Sequence, residues 1–362
     1  MSVALDRRRY RALVRRDPRL DGRVFVGVTT TGVFCRPVCP ARTPHFDHVR
    51  FFASTAAAEA AGFRACLRCR PTLPAGFEER VVRLAYEPPL AWDRLLAFFA
   101  PRAIPGVEAV EPGVYRRTIR VGDVAGTLRV RPERRAPRLR AAFRVPRGTD
   151  VAPLAARVRR LFDLDASPAA VARGLAREPR LASAVGARPG LRVPGAWDAF
   201  ELAVRTVLGQ QVTVRGATTL AGRLVAAFGE ATRADGLTHL FPPAGALVDA
   251  DLASIGLPRA RAATIRALAA AARAGALAFD ARPSLDTVVT RLGAIPGVGP
   301  WTAHYVAMRG YGCTDAFPAG DLGLRKALAN GAAPLPAGDL IRRAERWRPW
   351  RAYAAMHLWS LT

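Results

Sequence analysis

Leu292-Gly293-Ala294-Ile295-Pro296-Gly297-Val298-Gly299-Pro300-Trp301-Thr302-Ala303 is the stretch on which the fold of the C-terminal half turns. It has the form helix, Pro-Gly-x-Gly turn, helix. The two glycines permit positive φ and let another backbone approach closely. The free amides at the start of the second helix then face an anion. An ordinary helix–helix turn would share that form, and a bare Gly-x-Gly would deserve no more. The charge of the chain favours a phosphate: 55 Lys+Arg stand against 29 Asp+Glu, a net +26 over 362 residues. Half of the residues are hydrophobic and 8% are aromatic, which excludes a disordered polycation. A folded, strongly basic protein meets a polyanion, and nucleic acid is the first candidate. Only Lys326 among the basic residues is lysine, so part of the arginine excess reflects codon habit.

Working outward from the hairpin, three textures follow one another, at residues 1–78, 84–150 and 151–362. The last is helical, with Leu, Ala and Val at spacings of three and four and breaks at Gly229, Pro242-Pro243, Pro258, Pro283 and Pro296-Gly297. The middle segment predicts a helix over Trp92–Ala100. After it come antiparallel strands over Val114–Val121, Gly126–Val130 and Leu139–Val145, from their period-two alternation. The first segment ends in a Pro-rich exit, Arg70-Pro71-Thr72-Leu73-Pro74. The expected class is multidomain α+β: a small α/β domain with four cysteines, an antiparallel-sheet α+β subdomain, then an all-α helix-hairpin-helix domain. No apolar run is long enough for a membrane; the Ala-rich stretch from Ala262 to Phe279 is broken by Arg266 and Arg273. The N-terminus carries no secretory signal, so the expected location is the bacterial cytoplasm, on the nucleoid through DNA.

Four of the five cysteines crowd into the first segment as Cys35-x3-Cys39 and Cys66-x2-Cys69. Two close pairs joined by a longer loop can converge on one tetrahedral ion, and four thiolates favour zinc. Ser54 is placed to cap a short Ala-rich helix that Gly62 ends, which would deliver Cys66 to the site. Spacing alone leaves a purely structural zinc knob open. Around the cysteines, Phe25-Val26-Gly27-Val28-Thr29-Thr30-Thr31-Gly32-Val33-Phe34-Cys35-Arg36-Pro37-Val38-Cys39 and Ala61-Gly62-Phe63-Arg64-Ala65-Cys66-Leu67-Arg68-Cys69 resemble the N-terminal domain of the Ada methyltransferases. The resemblance covers about residues 5–75. It implies that Cys35 is both a zinc ligand and the acceptor of a methyl group from a DNA methylphosphotriester. Cys39, Cys66 and Cys69 would complete the site, and Thr31 and Arg42 would touch the DNA backbone. The chemistry is sound, because zinc keeps a thiol ionised at neutral pH. Methylation of Cys35 removes one negative charge, so DNA should bind tighter afterwards. No room remains for the AraC-type helix-turn-helix that follows this domain in Ada.

Val207-Leu208-Gly209-Gln210-Gln211-Val212, the hairpin, Asp315–Arg325 and Arg346–Tyr353 resemble the helix-hairpin-helix glycosylases, in particular the AlkA type, 3-methyladenine DNA glycosylase II. This likeness covers about residues 84–362. Asp321 opens a helix, where capping alone would explain it. The resemblance makes it the catalytic carboxylate, which stabilises oxocarbenium character on the sugar and orients water. Asp315 is the nearest rival, with a structural role expected. Trp301, Tyr305 and Trp359 align with the base pocket, and the i, i+4 spacing of the first two puts them on one helix face. Gln211 takes the position of the side chain that fills the gap left by the flipped base. Gly297 and Gly299 approach the DNA, and the carbonyls of Gly293, Ile295 and Val298 correspond to a monovalent-cation site. Trp301 stands where strand-cutting relatives carry a Schiff-base lysine, so a monofunctional enzyme is expected. The reading is a monomer acting on alkylated duplex DNA, with one zinc and no membrane partner. Two others stay open: a glycosylase whose zinc module only tethers it to DNA, and a non-enzymatic damage-responsive regulator.

Overall fold

The computed structural model describes residues 3–73, 75–277, 283–329 and 333–361, so Pro74 and Phe279 lie outside it. Packing divides the chain into two units, Met1–Arg80 with Arg144–Thr149 and Val81–Phe143 with Asp150–Thr362.

In the first unit, helix α1 (Val3–Val14) precedes a four-stranded sheet of β1 (Phe25–Val28), β2 (Val33–Cys35), β3 (Val49–Phe52) and β4 (Arg64–Ala65), in the order β3-β1-β2-β4. β1 is antiparallel to β2 and β3, whereas β4 runs parallel to β2 with Phe34 opposite Ala65. Alternation along β1 sends Val26 to a cluster with Leu13, Val24 and Phe51, and Phe25 to another with Phe34, Ala58 and Phe63. Between them Gly27 is required. A Cβ there would stand 2.7 Å from the Phe52 ring and 2.8 Å from the Phe63 ring. Helix α2 (Thr55–Ala60) begins as expected, with Ser54 Oγ accepting from the Ala57 N–H at 3.1 Å.

The second unit holds most of a five-stranded sheet: β5 (Phe77–Ala85), β6 (Glu108–Glu111), β7 (Val114–Val121), β8 (Val124–Pro132) and β9 (Arg138–Pro146), ordered β5-β9-β8-β7-β6. The predicted strands are present, the first with the predicted bounds and the other two longer, and β5 and β6 are additional. Alternation is clear in β8, where Leu128 and Val130 point inward and Arg129 and Arg131 outward. Helix α3 (Trp92–Phe99) lies where the sequence predicts it. After the sheet come α4 (Ala152–Leu161), α5 (Pro168–Leu175), α6 (Pro179–Ala187), α7 (Ala199–Leu208), α8 (Val214–Phe228) and α9 (Ala244–Leu247). These are followed by α10 (Arg259–Arg273), α11 (Leu285–Gly293), α12 (Pro300–Gly310), α13 (Leu322–Ala327), α14 (Ala337–Ala344) and α15 (Arg351–Trp359).

Among the described residues after 150, the expectation of helix alone holds except at one hairpin, β10 (Glu230–Ala234) with β11 (Leu237–Leu240). Its turn, Asp235-Gly236, has φ +55 and +77, the pair of positive values that a two-residue hairpin demands. It extends the sheet region: Thr127 Oγ1 donates to Asp235 at 3.0 Å and Thr118 Oγ1 to the His239 carbonyl at 2.8 Å.

Helix α7 is the axis of the helical part, buried on almost every face, and α8, α10 and α12 pack around it. Its two charged residues are paired with the sheet. Arg117 Nη2 donates to Glu201 Oε2 at 2.7 Å, and Arg205 Nη1 donates to Glu201 Oε1 at 2.9 Å and to Glu108 Oε2 at 2.8 Å. Glu108, fully enclosed, keeps its carboxyl below the usual range because Arg205 and Arg117 outweigh the cost of burial. Removing one member would strand its partners. Among the described residues no helix is long and apolar enough to cross a membrane.

Candidate active site and metal centre

The hairpin of α11 and α12 forms as the sequence predicts. Gly297 has φ +85, and a Cβ there would lie 2.0 Å from Thr264 Oγ1 on α10. Gly299 caps α12 with an extended backbone and open space where a Cβ would be. The amides of the first turn beyond Pro300 have no acceptor within the helix. Gln210 braces the turn, its Nε2 donating to the Gly297 carbonyl at 3.2 Å and to Thr302 Oγ1 at 3.3 Å. The Ile295 carbonyl accepts the Val298 N–H at 3.0 Å, and Gly293 closes α11.

Asp321 caps a helix and meets the aromatic side chains grouped with it in the sequence reading. As cap of α13, its Oδ1 accepts the Leu324 N–H at 3.0 Å. The same Oδ1 accepts the Trp359 indole N–H at 2.9 Å, and Oδ2 accepts that of Trp301 at 3.0 Å. The carboxylate is therefore fixed by two aromatic residues from α12 and α15. Trp301 and Tyr305 stack with centroids 4.9 Å apart and planes 12° apart, and Trp359 meets Tyr305 edge-on at 6.3 Å. These four side chains line a cavity of about 630 Å³. Gln211 is exposed at the corner after α7 with φ +57, and its neighbours Gly209 and Val212 line the cavity. Asp315 is committed elsewhere: its Oδ1 takes the Arg351 Nε–H at 2.7 Å, and Arg348 pairs with Oδ2.

Among the cavity residues that the motifs do not show are Phe98 of α3, Arg102 just beyond it, and Arg309. Arg309 lies one turn below Tyr305 and donates to its hydroxyl at 2.8 Å, to the Pro194 carbonyl at 2.6 Å and to the Gly195 carbonyl at 3.2 Å. The i, i+4 spacing from Tyr305 could have revealed it. Nothing local could have revealed Phe98 or Arg102, which come from two hundred residues away. The Arg102 guanidinium lies 4.0 Å over the Phe98 ring, and burial lowers its pKa from the ordinary value. Cys313 packs against the helical core, where burial pushes its thiol up to about 11. Trp197 and Trp347 are core residues.

The metal centre belongs to the first unit. Parallel pairing of β2 with β4 brings Cys35 and Cys66 together, and the Cys66 N–H donates to the Phe34 carbonyl at 3.0 Å. Cys39 and Cys69 close the group, and all four Sγ atoms lie within 4.8 Å of one another. Tetrahedral zinc thiolate, with bonds of about 2.3 Å, sets its sulfurs about 3.8 Å apart, so this donor set fits zinc. Arg36 stiffens the site from behind. Its N–H donates to Cys69 Sγ at 3.4 Å, and its buried guanidinium bonds Asp21 Oδ2 at 3.2 Å and the Leu73 carbonyl. Beside Cys35 opens a cavity of about 320 Å³ lined by Thr31, Arg42 and also Arg64, which the motif reading passed over.

Residues 8–72 match the family model for the metal binding domain of Ada, and residues 81–198 match that for the AlkA N-terminal domain. The chain is 34% identical over 475 residues to a probable bifunctional transcriptional activator/DNA repair enzyme AlkA of Mycobacterium tuberculosis, across 97% of this chain and 95% of that one. It is 36% identical over 281 residues to DNA-3-methyladenine glycosylase 2 of Escherichia coli, covering 76% of this chain and 95% of the relative. A solved 3-methyladenine DNA-glycosylase from Archaeoglobus fulgidus shares the fold, with a TM-score of 0.68 over 77% of this chain and 97% of its own, at 23% identity.

Proposed function

Since the chain belongs to the AlkA family of DNA-3-methyladenine glycosylases and carries an Ada-type metal-binding domain ahead of it, we propose that it repairs alkylated DNA by two chemistries on one chain. Residues 84–150 and 151–362 form the glycosylase, and residues 1–78 form the methyl acceptor. The observation that carries the first reading is the carboxylate of Asp321, held by two indole N–H groups in the wall of an aromatic cavity.

Breaking an N-glycosidic bond places positive charge on the sugar, and an ionised carboxylate beside C1′ stabilises it. Asp321 also receives the proton of the attacking water, directly or through solvent. An N-alkylated purine carries positive charge, which the faces of Trp301, Tyr305 and Trp359 attract. That charge makes the base a good leaving group without protonation. Gln211, already turned outward at the corner after α7, fills the space in the duplex, and the amides behind Gly297 and Gly299 take a phosphate. The carbonyls of Gly293, Ile295 and Val298 supply oxygen ligands for a monovalent cation beside that phosphate. With Trp301 where strand-cutting relatives carry a Schiff-base lysine, the product is an abasic site in an uncut strand.

In the first unit Cys35, Cys39, Cys66 and Cys69 would hold zinc, which keeps the sulfurs ionised at neutral pH. The Cys35 thiolate attacks the methyl carbon of a methylphosphotriester; the S–C bond forms as the C–O bond breaks, and the phosphate diester leaves. Thr31, Arg42 and Arg64 line the cavity that would receive the phosphate. The two family matches are separated by residues 73–80, too few for two helices and a turn, so the transcriptional role in the mycobacterial relative's name forms no part of this reading.

Free methylated purines released from dimethyl-sulfate-treated DNA test the glycosylase, and loss of release in Asp321→Asn is the expected result. Peptide mass spectrometry after exposure to methylphosphotriester DNA tests the acceptor. One methyl on Cys35 is expected, and none on zinc-loaded protein would leave the module as a DNA tether.

A further inference from the structure

The lining of the glycosylase cavity holds one carboxylate and several guanidinium groups. Along its contacts the order is Asp321, the Trp301 indole, the stacked Tyr305 ring, and then the guanidinium groups of Arg309 and Arg102. Arg309 places one donor from each of its three nitrogens on the Pro194 and Gly195 carbonyls and the Tyr305 hydroxyl, so it fixes Tyr305 and leaves positive charge behind it. Arg102 is different. It is held by the Phe98 carbonyl at 3.0 Å, by the Phe98 ring beneath it and by Tyr305, and these contacts leave guanidinium donors over at a cavity wall. Its partners are neutral, so the charge at that end is not cancelled.

Such an end does nothing for a cationic base, which it repels. It suits a base that gathers negative charge. When the C1′–N9 bond of a neutral purine breaks, the electron pair goes to the ring and spreads onto a carbonyl oxygen. When an N-alkylated purine leaves, the pair merely cancels its positive charge. On the reading that this cavity is the glycosylase pocket, we propose that Arg102 donates hydrogen bonds to the carbonyl oxygen of a neutral, deaminated purine as it departs, making Arg102 the residue that selects uncharged carbonyl-bearing lesions alongside cationic alkylated ones. Water supplies the hydroxyl to C1′, and its proton reaches the purine through Asp321 and solvent. Arg102 stays protonated throughout.

The full-length protein is assayed under single-turnover conditions on duplexes carrying one hypoxanthine or one 7-methylguanine. The readout is the ratio of the two rates. In Arg102→Met the ratio of hypoxanthine to 7-methylguanine release falls by tenfold or more, because the neutral base loses its donor while the cationic base loses a repulsion. Arg102→Lys, which keeps charge but not the fork, recovers part of that ratio. A ratio within twofold of wild type in Arg102→Met overturns the proposal even if both rates drop, since that is what loss of packing alone would give. Wild-type protein that releases 7-methylguanine but no hypoxanthine overturns it too, with the glycosylase reading intact. Release of neither base by folded wild type removes the glycosylase reading and this one with it.

Discussion

Replacing Gly297 by alanine should damage the hairpin for two separable reasons. The residue holds φ +85, and an L side chain in left-handed backbone costs about 1–2 kcal/mol. The new Cβ would also stand 2.0 Å from Thr264 Oγ1, with Cβ and Cγ2 of the same threonine at 3.1 and 3.2 Å. Relieving an overlap of that kind inside packed helices costs about 1–3 kcal/mol more. The expected loss is therefore about 2–5 kcal/mol. Thr264→Ala removes Oγ1 and Cγ2, so in the double variant most of the steric part should go, leaving the backbone part and a Cβ contact at 3.1 Å. The pair should couple favourably by about 1–3 kcal/mol. Urea unfolding followed by tryptophan fluorescence, with Trp301 next to the turn, measures all four corners of the cycle. DNA affinity should track the same order, weakest in Gly297→Ala. A loss under about 1 kcal/mol in the single variant, or a double variant equal to the sum of the singles, would refute the account of this turn.

Removing one charge of the buried network, as in Glu201→Gln, leaves Arg117 and Arg205 short of a partner and should cost about 3–5 kcal/mol, read by the same unfolding assay. His357, buried on α15, is lowered by burial to about 4, so the unfolded chain binds the extra proton and stability is lost as pH falls from about 6.5 through about 4. Asp163, raised by burial to about 6, acts with the opposite sign, losing stability as pH rises through that window. The difference between wild type and His357→Gln isolates the histidine, at about 3 kcal/mol or less, and a pH-independent difference would sink the assignment. Stripping metal with a chelator should expose all four clustered thiols to a thiol reagent; no change in reactivity would mean that no metal had been held. Cys35→Ser should abolish methyl transfer, and methyl still appearing on the protein would place the acceptor elsewhere.

Much of this molecule is legible in its sequence where a local rule applies. Ser54 and Asp321 cap helices because their side chains reach an orphan N–H three residues on. The Pro-Gly-x-Gly turn and the alternation of β7 to β9 are equally local. The hairpin at β10–β11 carried a readable Asp-Gly signal inside a helical stretch, where flanking strands of four and five residues gave little periodicity. β5 reads as Phe-Glu-Glu-Arg-Val-Val-Arg-Leu-Ala, too charged to suggest a strand, because most of its positions are only partly covered. The cavity shows the limit most clearly. Helix spacing puts Trp301 and Tyr305 on one face and the resemblance groups Trp359 with them, but Phe98 and Arg102 join the cavity through tertiary packing alone. The same holds for Arg64 beside the cysteines, which arrives through the parallel pairing of β4 with β2.

The central claim is that Asp321 drives release of an alkylated base from an intact strand. The most direct test is the single-turnover rate of 7-methylguanine release from a defined duplex, wild type beside Asp321→Asn, with strand breaks scored before and after hot alkali. The expected result is release by wild type with breaks only after alkali, and a rate lower by about 100-fold or more in a variant that folds and binds DNA. A near-normal rate in Asp321→Asn, or breaks before alkali, would contradict it.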